Sequence, residues 1–181
     1  MKYFILTCVF LFANLCAKAD MPIVCGVQFG STYEQAKVIL DKKYNGGNKS
    51  YQSDKNKITY YDIRFAGEVF DYVDFEFSSN GVRTFLENIY FYSRFNLSDA
   101  KYAKAQRDRL LEKFKKKYEY RWDITDDDGY KHYVLGHDPF NYADGFIIIK
   151  TSKNETKRGE MKLWTIVSYN CNGFVKTEDE I

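Results

Sequence analysis

Proline is almost missing from this chain of 181 residues, with only Pro22 and Pro139 present, and no serine- or glycine-rich stretch occurs. That absence excludes a flexible linker and leaves nothing to divide the chain into independent domains. Disorder is excluded as well, because 16 Tyr, 15 Phe and 2 Trp supply more aromatic surface than an unfolded segment carries. No apolar run reaches the roughly 20 residues that a bilayer-spanning helix needs. Gly-x-Ser-x-Gly elbows and glycine-rich phosphate loops are both lacking, which removes the commonest sequence signatures of acyl transfer and nucleotide chemistry.

What is present begins at the N-terminus. Met1 and Lys2 precede an apolar run from Tyr3 to Leu15, and Ala17, Lys18 and Ala19 follow it. A core of about 13 apolar residues closed by small ones has the pattern of a secretory signal peptide. Residues 1–19 are therefore expected to be removed, leaving one domain over 20–175 and a polar tail over 176–181. Lys2 and Lys18 go with the leader, so the 27 basic side chains become 25, equal to the 25 acidic ones. A formally neutral chain lacks the cationic excess that nucleic acid demands. The local basic segment Lys101–Arg121 reads as the solvated face of a helix.

Cysteine is also sparse. Cys16 does not complete a lipidation signal, because Leu15 stands where a small residue is required; lipid anchoring is not expected. With Cys8 and Cys16 in the leader, Cys25 and Cys171 remain. In the periplasm or outside the cell they could form a disulfide, which across so long a loop would contribute on the order of 4 kcal/mol. Two thiols buried apart are the alternative.

Along the chain, the apolar segment Ile23–Phe29 predicts a short strand, and Ser31 with Glu34 has the spacing of a capping box. A helix should follow with Ala36, Ile39, Leu40 and Tyr44 on one face, ending at Asn45, Gly46 and Gly47. Alternating segments Ile58–Phe65, Val69–Phe77 and Phe85–Ser93 predict three strands, the last two joined by a hairpin through Ser78, Ser79, Asn80 and Gly81. The longest helix should follow Ser98, with Ala103, Leu110, Leu111, Phe114 and Tyr118 as its buried stripe. Strands over Tyr118–Ile124 and Lys131–Leu135 should flank a turn at Asp126–Gly129. Tyr120, Trp122 and Ile124 would then share one face. A final hairpin should pair Gly145–Thr151 with Lys162–Asn170.

The two halves, 23–95 and 96–171, thus read as a helix followed by about three strands, twice. Both helices end in a similar way: Leu40, Lys42, Lys43 and Tyr44 in one, Phe114, Lys116, Lys117 and Tyr118 in the other. Lysines closing a helix against its dipole are common, so the match fits either duplication or coincidence. Either way the expected fold is α+β, an antiparallel meander with helices on one face. The segment Val27–Ala36, in which a strand ends in Gly30 and a hydroxyl cap opens a short helix, resembles the repeat of β-lactamase inhibitor protein and of the SmpA/OmlA envelope domains. That resemblance implies a non-catalytic helix-plus-sheet module that contacts other proteins. The second half lacks the glycine and hydroxyl before its helix.

Chemistry-bearing candidates are few. His132, His137 and Asp138 could supply metal ligands, but residues five apart on a strand point to opposite faces, and Gly136 suggests a turn between them. Asp126, Asp127, Asp128 and Gly129 fit a hairpin turn better than a calcium loop, since Ile124 and Leu135 occupy the positions where an EF-hand needs acids. No residue set calls for a cofactor. Asp71, Asp74, Glu76 and Glu87 could contain the acid pair of a secreted glycan hydrolase, the alternative reading.

The face left over once the core is assigned is the main candidate. If Tyr61, Ile63, Phe65, Val73, Phe75, Phe77, Phe85, Ile89 and Phe91 point to the helices, the other face carries Tyr60, Asp62, Arg64, Phe70, Tyr72, Asp74, Glu76, Asn88, Tyr90 and Tyr92. Tyrosine offers rigid contact area and a hydroxyl at low entropic cost. Tyr60, Arg64, Tyr72, Tyr90 and Tyr92 are therefore expected to form a binding surface, with another envelope or extracellular protein as the partner.

Overall fold

A computed structural model describes residues 21–44, 56–79, 84–156 and 158–171. The expected leader at 1–19, the helix stop at Asn45–Gly47, the hairpin tip at Asn80–Gly81 and the polar tail 176–181 lie outside the described residues. The element order is β1 (Ile23–Val24), β2 (Val27–Gln28), α1 (Tyr33–Lys43), β3 (Lys57–Phe65), β4 (Glu68–Ser79) and β5 (Thr84–Phe95). A short 3-10 turn (Leu97–Asp99) then leads into α2 (Ala100–Lys115), followed by β6 (Tyr120–Thr125), β7 (Lys131–Leu135), β8 (Ile147–Glu155) and β9 (Met161–Asn170). No described helix is long and apolar enough to cross a membrane.

The fold is α+β. Seven antiparallel strands form one sheet in the order β3-β4-β5-β9-β8-β7-β6. Each half contributes a meander, and the final strands of the two meanders, β5 and β9, pair at the centre. The second half has a fourth strand, β6, at the edge. Both helices bury their apolar faces in one core, which gathers Ala36 and Leu40 from α1, Leu110, Leu111 and Phe114 from α2, and Phe70, Phe75, Phe91, Ile147, Val167 and Tyr169 of the sheet. Phe65 stacks on Phe91 with ring centroids 4.1 Å apart.

Local sequence explains most boundaries, with three shifts. The segment Ile23–Phe29 is a two-stranded hairpin of its own, because Cys25 and Gly26 adopt φ of 57° and 87° and reverse the chain. Only glycine takes that conformation cheaply, and it stands second in the turn. The cap of α1 is Thr32 with Gln35, one residue beyond the expected Ser31 and Glu34; Thr32 Oγ1 accepts from Gln35 N at 3.3 Å and Gln35 Oε1 from Thr32 N at 3.0 Å. Ser98 falls in the 3-10 turn, so α2 starts at Ala100. Ile39, expected in the core, is 38% exposed, while Gln106 and Arg107 join the buried side of α2.

One irregularity decides which residues face solvent. The β3–β4 register runs Lys57↔Glu76, Ile58↔Phe75, Thr59↔Asp74, Tyr60↔Val73 and Tyr61↔Tyr72, then resumes at Ile63↔Phe70. At the break Asp62 takes φ of 54°. Asp is among the few L residues that tolerate this region. The strand therefore changes face between Tyr61 and Ile63, so Ile58, Tyr60, Ile63 and Phe70 are all buried on the helix side. The strict alternation expected from the sequence is corrected accordingly: Tyr60 and Phe70 belong to the core and Tyr61 to the opposite face. A second irregularity between Glu76 and Phe77 sets Leu86 rather than Glu87 opposite Phe77, and Phe85 opposite Ser78.

Candidate functional site: the sheet face opposite the helices

Cross-strand partners share a face, so the register identifies the side chains on the side away from the helices. One row runs across the whole sheet: Tyr61, Tyr72, Tyr92, Ile166, Lys150, His132 and Ile124. The next holds Thr59, Asp74, Tyr90, Ser168, Ile148, Val134 and Trp122. Arg94, Trp164 and Ser152 form part of a third. Aromatic side chains thus crowd the half built by β3, β4, β5 and β9, and aliphatic ones the half built by β8, β7 and β6.

The aromatic half is a continuous cluster. Tyr72 stacks on Tyr92 at 4.6 Å between centroids with the planes 22° apart. Tyr61 lies 5.9 Å from Tyr72, and Tyr90 lies 6.0 Å from Tyr92. Trp164 meets Tyr72 and Tyr92 edge-on, each at 6.1 Å. Offset and edge-to-face pairs of this kind favour one another beyond simple burial. All five rings are half-buried.

Their polar ends are the unusual part. None of the hydroxyls of Tyr61, Tyr72, Tyr90 and Tyr92 has a hydrogen-bond partner among the described residues. The indole Nε1 of Trp164 is shielded and also lacks an acceptor there. Tyr60 on the other face behaves differently, donating its hydroxyl to Asp41 Oδ1 of α1 at 2.9 Å. Burial, then the Asp74 carboxylate, pushes the Tyr72 phenol up to about 12. The same two causes raise Tyr92; burial and then Glu76 raise Tyr90. These phenols stay protonated at neutral pH, fit to donate and accept hydrogen bonds but not to act as bases.

Besides Arg94 and Lys150, the charge on this face gathers at one corner. Asp74 is buried, accepting from Thr59 Oγ1 at 2.6 Å and from Lys57 Nζ at 3.1 Å. Glu76 reaches the same ammonium at 3.5 Å. Partial burial pulls the Lys57 ammonium down, but the two carboxylates outweigh it and its pKa is raised. The other acids considered for a hydrolytic pair are engaged separately: Asp71 accepts from the Arg94 backbone N–H at 2.6 Å, and Glu87 from the Ser78 hydroxyl. Asp74 and Glu76 are thus bridged by one lysine, so neither carboxylate stands free over an open cleft.

The remaining candidates fall elsewhere. Tyr72, Tyr90 and Tyr92 stand together as expected, whereas Tyr60 is in the core. Arg64 is exposed past the break, opposite Val69. The sequence reading missed Tyr61 and Trp164. The adjacent pair Tyr60 and Tyr61 signals that one tyrosine must face each way, but nothing local signals the β5–β9 pairing that delivers Trp164. Cys25 and Cys171 are free, buried thiols. Tyr44 donates its hydroxyl to Cys25 Sγ at 3.1 Å.

His132 Nε2 lies 3.0 Å from Asp126 Oδ2, while His137 stacks on Tyr142 and has Nε2 3.0 Å from Glu119. Asp138 caps a turn, accepting from Phe140 N at 2.8 Å. No group of three or more His, Cys, Asp or Glu positioned for a metal occurs among the described residues. Asp126 closes the hairpin through Tyr130, whose backbone N–H holds its carboxyl below the usual range. Trp122 and Ile124 share the sheet face described above, but an irregularity after Tyr120 places that ring opposite Leu135 instead.

No protein-family model, curated protein or solved structure matches this chain.

Proposed function

We propose that the chain is a non-catalytic binding module that is exported and recognises another protein of the cell envelope or extracellular space through the aromatic half of its sheet. The observation that carries this reading is the set of four clustered tyrosines whose hydroxyls have no partner among the described residues. Flat, rigid aromatic area with unengaged hydroxyls suits recognition at a protein interface. The leader-like N-terminal segment supports export, and the near-neutral charge of the remaining chain fits a protein partner better than nucleic acid.

The test is a pull-down from envelope and culture-medium fractions, comparing the protein with a Tyr61→Ala/Tyr72→Ala/Tyr92→Ala variant that retains its fold by circular dichroism. A stoichiometric protein partner retained by the first and lost by the second is expected. Recovery of the same partner by both would remove the tyrosine face from the interaction. Retention on immobilised glycan, with no protein partner from either fraction, would move the reading to carbohydrate recognition.

A further inference from the structure

A cleft of about 520 Å³ opens on the helix side of the sheet, remote from the tyrosine face. It lies between the β1–β2 hairpin, the β3–β4 turn and the C-terminal end of α2. Its size falls within the roughly 300–1,000 Å³ typical of small-molecule sites. The floor is aromatic, built from Phe65, Phe114 and Tyr169. Lys113, Lys116 and Lys117 border it, and among the described residues no carboxylate does.

The lysines are not equivalent. Lys113 is committed, donating to Ala66 O at 2.8 Å and lying 3.4 Å from Glu68 Oε1. Lys116 and Lys117 are exposed and have no acidic partner among the described residues. Two lysines at a helix C-terminus would ordinarily need no more explanation than the dipole, which is equivalent to about half a negative charge. Here two full positive charges exceed it, beside an apolar floor. Ile23, only one-third shielded at 66% exposure, extends the apolar wall toward solvent.

We propose that this cleft binds a single-chain anionic amphiphile of the fatty-acid class, with its hydrocarbon chain on the aromatic floor and its carboxylate between Lys116 and Lys117. The chemistry of the site selects both parts. A neutral amphiphile would leave the lysines unused, and a short anion would leave the floor unused. The floor residues belong to the same core that joins the helices to the sheet, so the chain would be held by rigid elements rather than by a loop. This site is independent of the proposed protein interface.

The probe is monomeric dodecanoate, titrated into the purified protein and followed by the methyl resonances of Ile23 and Val24. Saturable one-to-one shifts at these methyls are expected, with dodecyl maltoside and acetate producing none at the same concentrations. A Lys116→Gln/Lys117→Gln variant, fully folded because both side chains are exposed, should weaken dodecanoate binding by roughly tenfold or more. Ile23→Ser should weaken it while leaving both lysines in place. Equal binding of dodecyl maltoside, undiminished binding by the double lysine variant, or association only with anionic phospholipid vesicles and none with monomeric dodecanoate would each overturn the proposal.

Discussion

Tyr60 and Tyr61 are neighbours of identical chemistry, and the break at Asp62 assigns them opposite energetic roles. Tyr60 is only 2% exposed, its ring 5.0 Å from Tyr44 and 6.4 Å from Phe75. Truncating so large a buried ring should cost about 3–5 kcal/mol, the range for aromatic-to-alanine changes in cores. At roughly 2–4 °C per kcal/mol for a chain of this size, the thermal midpoint should fall by about 6–20 °C. Tyr60→Phe, which keeps the ring and removes only the hydroxyl donated to Asp41, should cost about 1 kcal/mol, because Asp41 retains Lys37 at 2.6 Å. Tyr61→Ala removes one half-buried ring with a single described ring neighbour, Tyr72, and should cost no more than about 1 kcal/mol. Urea unfolding of the three variants, with m-values checked for constancy, measures all of this directly. If Tyr61→Ala proves as costly as Tyr60→Ala, the strand alternates without a break, and Tyr60 and Tyr61 have been assigned to the wrong faces.

Other consequences follow from particular contacts. Glu68 accepts from Arg109 Nε and Nη2, both at 2.9 Å, and these bonds hold its carboxyl below the usual range. A depressed folded-state pKa gives stability that is present above the unfolded value near 4.3 and lost as pH falls through the folded one. Glu68→Gln should therefore cost about 1 kcal/mol or less at neutral pH and flatten the acid limb of a stability–pH profile; an unchanged limb would refute the assignment. Gly145→Ala would put a Cβ 1.9 Å from Val134 Cγ1, so overpacking should cost about 1–3 kcal/mol in the same urea assay, and a neutral result would mean that the β7–β8 contact is looser than described. Burial raises the Cys25 thiol and pushes Cys171 up to about 12, so peptide mapping should find both alkylated only after unfolding. A disulfide-linked peptide containing the two would contradict the free thiols.

Elements set by local patterns are legible in the sequence, and pairings set by distant ones are not. The stripe of Ala103, Leu110, Leu111 and Phe114 announces α2, because helical periodicity is written within the segment itself. The runs of alternating apolar residues likewise announce β3, β4 and β5. Alternation alone, however, assumes an unbroken pleat, and the chain departs from it at Asp62 with a residue that would pass for an ordinary exposed strand position. One such departure moves every later side chain of the strand to the other face. Tyr72, Tyr90 and Tyr92 group together in sequence and structure alike because they lie on the same side of that break. Trp164 is out of reach because it arrives through the register Arg94↔Trp164, a contact between the two halves that no local pattern encodes. The cleft is equally illegible, being assembled from β1, the β3–β4 turn, α2 and β9.

A sheet covered by helices on one side must still settle its second side, and antiparallel sheets commonly do so with polar residues. This chain does so with two different surfaces. On β6, β7 and β8 the outward side chains include Val134, Ile148 and Ile124, and Lys150 and His132 interrupt them as isolated polar groups. On β3, β4, β5 and β9 the outward rings pack on one another, and that mutual packing accounts for their half-burial without any covering element. Packing does not account for the hydroxyls. Phenylalanine in place of each of Tyr61, Tyr72, Tyr90 and Tyr92 would keep the ring contacts at 4.6–6.0 Å and spare the partial desolvation of four polar groups. The four hydroxyls keep access to solvent, which leaves them available for contacts made outside the fold. The proposed interface is then mainly aromatic, with Arg94, Lys57, Asp74 and Glu76 at its edges fixing orientation and the phenols supplying directional bonds.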